Sequence, residues 1–86
     1  MDQEINFKIK QILNDLFDLQ EQEEDFSANS DLLTMYSYDW INNLSRITSI
    51  WHLLNNEQQK LITQKYEEVK PIAIKLKLPW PEELSS

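Results

Sequence analysis

Glycine and cysteine are both missing from the 86 residues, and each absence removes a set of functions. Phosphate-cradling loops, dinucleotide-binding turns and nucleophile elbows need glycine, because their backbone takes positive φ or passes close to a ligand. None of them can be built here. The same lack disfavours tight β-hairpins, whose favoured turns want glycine at a central position. Helices are the structures that manage best without it. The lack of cysteine excludes a disulfide framework, a thiolate zinc site and a cysteine nucleophile. No stretch approaches the roughly 18 uninterrupted apolar residues of a membrane span. The opening "MDQEINFKIK" is acidic and then amphipathic, without the basic start and apolar stretch of a secretory signal. A cytoplasmic protein is the natural expectation.

Histidine is nearly missing too. His52 stands alone, with Trp51, Leu53 and Asn56 as its neighbours, so neither a nucleophile partner nor a second imidazole for zinc is at hand. It reads as a surface residue, and the expectation is a protein that is not an enzyme and binds no cofactor or metal. The Asn43-Leu44-Ser45 triplet matches a glycosylation acceptor, but it falls within a predicted helix and reads as chance.

Charge of one sign dominates. The net charge is −7, and it is lopsided: −8 over residues 1–43 and +1 over residues 44–86. Such a chain repels nucleic acid and anionic membrane and attracts basic surfaces. Asp15, Asp18, Glu21, Glu23, Glu24, Asp25 and Asp31 form the acidic zone suited to meeting a basic partner. The run from Glu21 to Asp25 lacks the alternating oxygen ligands and central glycine of a calcium loop, and reads as a solvated face. Lys60, Lys65, Lys70, Lys75 and Lys77 mostly avoid the apolar stripe. They read as a solubilising face or as a complement to the acidic half of a second copy.

What the chain does have is a repeated apolar period. Ile5, Ile9, Ile12, Leu16 and Leu19 follow 4-3-4-3 spacing, as do Trp40, Leu44, Ile47, Trp51 and Leu54, and again Ile62, Tyr66, Val69, Ala73 and Leu76. That spacing draws a line along one face of a helix packed against others. Leu13, Phe17, Ile41, Ile50, Leu53 and Ile72 widen the stripes towards a globular core. Trp40 and Trp51 therefore read as core residues. The pattern predicts one all-α domain, a small antiparallel bundle of three long helices and one short one. The helices fall at about 3–21, 38–54 and 57–77, with an acidic connector and its short helix at about 22–37 and a tail over 78–86.

Boundaries follow from local chemistry. Ser27 or Ser30 is the expected cap of the short helix and Ser37 that of the next. Asn55 can end a helix in the left-handed conformation, and Asn56 with Gln59 can cap the following one. Pro71 removes a backbone donor and clashes with the carbonyl of Glu67, so the third long helix kinks there or breaks. The period-two run Ile72–Leu78 offers a strand as the rival reading of that segment.

The third tryptophan, Trp80, stands outside the period between Pro79 and Pro81. The prolines hold the backbone near polyproline geometry and lower the entropy lost when the indole is fixed. Two readings follow, a plug on the protein's own core or a knob for a partner. The functional expectation is a non-catalytic protein–protein interaction module, an adaptor, assembly factor or regulator. Its partner is a protein with a basic surface or a second copy of the chain, not nucleic acid or membrane. The alternative is an acidic inhibitor (an immunity protein, antitoxin or nucleic-acid mimic) covering a basic site.

Overall fold

The computed structural model describes residues 2–84, and no strand occurs among them. Four helices follow in order: α1 (Asp2–Glu21), α2 (Glu23–Ala28), α3 (Ser30–Ile50) and α4 (Asn56–Lys75). Single 3-10 turns occupy Trp51–Leu53 and Glu82–Leu84. The predicted stripes supply the interior: Ile12, Leu16, Leu19, Trp40, Ile47, Ile62, Tyr66 and Val69 lose essentially all contact with solvent. Burial of apolar area at roughly 25 cal/mol per Å² is what holds such a bundle together.

Side-chain pairings fix the directions. Ile12 meets Asn43, and Asp15 meets Tyr36, Asn43 and Arg46, so α1 and α3 run antiparallel. Ile5 and Asn6 lie beside Asn55 and Gln58, and Gln20 meets Lys65, so α4 runs alongside α1 in the same direction. Helix α1 packs closely on both α3 and α4. Between themselves, α3 and α4 are joined by long aromatic side chains, Trp40 against Tyr66 with ring centroids 5.6 Å apart. This is an up-down-up bundle with a groove between its second and third long helices.

Several boundaries differ from the sequence reading. The short helix is α2, and Leu32, Leu33 and Met35 belong to α3, which starts at Ser30 rather than near Tyr38. The cap is Asn29, whose Oδ1 accepts from the N–H groups of Asp31 and Leu32 at 3.0 and 3.3 Å. Position decides this role: Ser27 lies within α2 and Ser30 already within α3, while Asn29 between them has the extended backbone of a cap. Ser37 is no cap; it lies inside α3 and donates to the carbonyl of Thr34. The acidic run is split by a one-residue break at Gln22, which places Glu23, Glu24 and Asp25 in the first turn of α2, where the helix dipole favours them.

Asn55 begins α4 rather than ending α3. Its backbone is extended, its side chain accepts from Gln58 N–H at 2.8 Å, and Gln58 Oε1 accepts from Asn55 N–H at 3.0 Å. The capping box thus sits one residue earlier than Asn56 with Gln59. Helix α4 runs unbroken through Pro71, which faces solvent. Water can satisfy the Glu67 carbonyl on that side, which is why the stripe continues in register. The strand reading of 72–78 fails as well: α4 continues to Lys75, and Ile74, which a period-two pattern would place on the apolar side, is 66% exposed while Ala73 of the other side is buried.

The left-handed residue is Lys77, with φ of 60°. Its N–H bonds to the carbonyl of Ile74 at 3.1 Å, and that of Leu78 to the carbonyl of Ala73 at 2.9 Å. That is a Schellman arrangement, which ordinarily recruits glycine. A glycine-free chain puts lysine there instead.

Candidate interaction surfaces

Beyond Lys77 the chain reverses and lies in the groove between α3 and α4. Trp40 donates its indole N–H to the carbonyl of Pro79 at 2.6 Å. The Trp80 ring stands perpendicular to that of Tyr66, centroids 5.4 Å apart, with the Lys70 ammonium 5.4 Å above it. Pro81 is buried, and Thr48 donates to the Glu83 carboxylate at 3.1 Å. Trp80 is therefore docked on its own chain. The fit is incomplete: the Trp80 indole N–H is buried without a hydrogen-bond acceptor among the described residues. A cleft of about 230 Å³ remains beside the ring, bounded by Leu44, Thr48 and Glu83.

Asp15 turns inward. Asn43, fully buried, donates to the carbonyl of Ile12 at 3.2 Å and to the Asp15 carboxylate at 2.9 Å, and its own oxygen accepts from the Tyr66 hydroxyl. Tyr36 donates to the Asp15 carbonyl at 2.6 Å. Burial pushes the Asp15 carboxyl above its ordinary value, against the opposing pull of the Asn43 bond and of Arg46, whose guanidinium lies 3.7 Å away. Burial also raises both tyrosine hydroxyls, so they stay protonated donors. The triplet at Asn43 is out of a glycosyl transferase's reach.

The other predicted acidic residues separate into groups. Asp18 is exposed on α1 and, with Asp39 of α3, lies near enough to Asp15 to raise its pKa. Glu21, Glu23, Glu24 and Asp25 border a cleft of about 280 Å³ at the α1–α2 corner, where Glu23 pairs with Lys75 at 3.2 Å. Asp31 is exposed in the first turn of α3. No group of three metal-ligating side chains converges among the described residues. His52 is exposed in the 3-10 turn after α3. Trp51 is half-buried and floors a shallow cleft with Gln59 and Thr63.

One surface has no counterpart in the sequence reading. Leu32, Met35, Tyr38 and Ile41 are all exposed, Met35 at 67% and Tyr38 at 66%. Each i, i+3 pair is in contact, but every step turns back by about 60°, so the row winds half-way round α3 and Met35 and Tyr38 form its middle. Ile41 does not widen the core: at 51% exposed it lies off the buried stripe of Trp40, Asn43 and Ile47. Phe17 and Leu53 are likewise rim residues, and Lys65 covers the Phe17 ring at 3.8 Å. The signal for the ridge was present as four apolar residues at a spacing of three. It was hidden by the expected helix break near Ser37. Asp31 and Asp39 lie one turn before and one turn after Met35, so carboxylates flank the ridge.

No protein family, curated protein or solved structure matches the chain significantly. No helix of the described residues is long and apolar enough to cross a membrane.

Proposed function

We propose that this chain is a non-catalytic interaction module that receives a basic, amphipathic segment of another cytoplasmic protein on the side of α3 that carries Met35 and Tyr38. The observation that supports it is the exposed ridge Leu32–Met35–Tyr38–Ile41 with Asp31 and Asp39 beside it. Isolated exposed apolar residues need no explanation, whereas four in one row rimmed by charge fit an anchor for a partner. Methionine and tyrosine suit that task, one by its adaptability and the other by its large amphipathic ring. The carboxylates steer a basic partner and penalise acidic ones. Nucleic acid and anionic membrane are disfavoured by the net charge of −7.

The test is recovery of the bound partner from native extract on tagged wild-type chain and on the Met35→Glu/Tyr38→Glu pair. The expected partner is basic, is released by salt, and is lost by about 100-fold in the ridge variant, the loss of two central anchors of about 1–2 kcal/mol each. Recovery unaffected by the ridge substitutions overturns the reading. A second reading, an acidic inhibitor seated through the α1–α2 corner, draws on the exposed carboxylates of Glu21, Glu24 and Asp25. It expects Glu21→Gln/Glu24→Gln/Asp25→Asn to slow association while the ridge pair leaves it intact.

A further inference from the structure

We infer that residues 79–84 are an exchangeable plug, and that two copies of this chain associate by each seating its Trp80 segment in the other's α3–α4 groove. The fit of plug to groove needs no assumption, because the same segment occupies the groove here. Its attachments are the Trp40 bond to Pro79, the Tyr66 and Lys70 contacts to the Trp80 ring, and the Thr48 bond to Glu83. A second copy offers every one of them. Only the hinge decides whether the plug closes on its own chain or on another.

That hinge is poorly suited to closure. Returning the tail onto its own groove requires the reversal at Leu76–Leu78, and so the left-handed Lys77. A side chain with a Cβ costs about 1–2 kcal/mol in that conformation. Once the hinge opens, Lys77 relaxes to an ordinary extended backbone, at the loss of the two hydrogen bonds to the Ile74 and Ala73 carbonyls. Pro79 and Pro81 restrict the backbone on both sides of Trp80 in either state, so little further entropy is lost on seating in trans. Two terms oppose the exchange. Closure in cis has an effective concentration on the order of millimolar, and two chains of net charge −7 repel. Exchange therefore belongs to high concentration and high salt. This dependence is opposite in sign to that of a basic partner on the ridge, and the two proposals fail separately.

The hinge supplies the experiment. Lys77→Pro cannot adopt φ of 60° and forces the tail open; Lys77→Gly adopts it freely. Mass in solution and accessibility of Trp80 to a neutral quencher are measured on both full-length variants. Lys77→Pro is expected to be dimeric with Trp80 still shielded. Lys77→Gly is expected to lower the dimerisation constant of wild type by roughly 25-fold, about fivefold for each of two hinges. A Lys77→Pro monomer, or a dimer whose Trp80 is open to quencher, overturns the inference. If Lys77→Pro does not fold, full-length Trp80→Ala with a free peptide of residues 76–86 decides. Saturable seating with a shielded indole supports a groove that accepts the plug in trans, and no seating overturns it.

Discussion

Asn43 carries more of this fold than any other polar residue. Both of its amide protons and its oxygen are engaged, with Ile12 and Asp15 on α1 and Tyr66 on α4, so one α3 side chain binds all three long helices. Burying an amide costs free energy unless its bonds are made, and here they are made. Asn43→Leu has a similar volume and removes all three bonds at once. It leaves the Tyr66 hydroxyl, the Ile12 carbonyl and the Asp15 carboxylate without this partner in the interior. Chemical denaturation is expected to show a loss of about 3 kcal/mol, where an apolar residue in an ordinary core position would be neutral. A loss below about 1 kcal/mol would mean that water replaces the amide and that the network is not what aligns the helices.

At the scale of elements, the repeated 4-3-4-3 stripes made the three long helices legible, because burial of one face is a periodic demand that sequence displays directly. Caps were less legible. Three side-chain oxygens compete within "SANS", and which one reaches an orphan N–H depends on where the chain leaves the preceding turn. The tail was legible only as a choice between two dockings, since its seat is formed by Trp40, Leu44 and Tyr66 from two distant segments. Of the candidate acids, Asp15 could not be singled out as inward-facing without knowing that Asn43 and Arg46 come opposite it. Pro71 did not break its helix as the sequence alone suggested, since α4 continues through it, and it gives a direct test. Within a helix it forfeits the bond to the Glu67 carbonyl, while it also restricts the unfolded chain by up to about 1 kcal/mol. Pro71→Ala is expected to raise stability by about 1–2 kcal/mol, read as a higher urea midpoint with an unchanged slope. A decrease would show that Pro71 holds α4 in the shape that buries Val69 and Ala73.

The whole molecule is held together against its own charge. Four ion pairs are present among the described residues, Lys8–Glu4, Arg46–Asp15, Lys65–Glu68 and Lys75–Glu23, and only the second is substantially shielded from water on both sides. Exposed pairs of this kind contribute little. The surplus of carboxylates is concentrated in the first half of the chain, and Asp18 of α1 and Asp39 of α3 both lie near enough to Asp15 to repel it. Repulsion among them is screened by salt, whose Debye length falls from about 30 Å at 0.01 M to about 10 Å at 0.1 M. Stability at pH 7 is therefore expected to rise with salt. Asp15 adds a pH dependence of definite sign. Its folded pKa is raised, chiefly by burial, so the folded state holds the proton more tightly than the unfolded one. Its contribution favours folding below the ordinary value of 3.8 and is lost as pH rises through the raised folded value. Asp15→Asn removes the charge and keeps an oxygen to accept from Asn43. Relative to wild type it is expected to be at least as stable at pH 7, with an advantage that shrinks in salt and vanishes as pH falls towards 3.8. A variant weaker than wild type at pH 7 and equal to it at low pH would reverse the balance, making the Arg46 pair, and not desolvation, the stronger influence on this carboxylate.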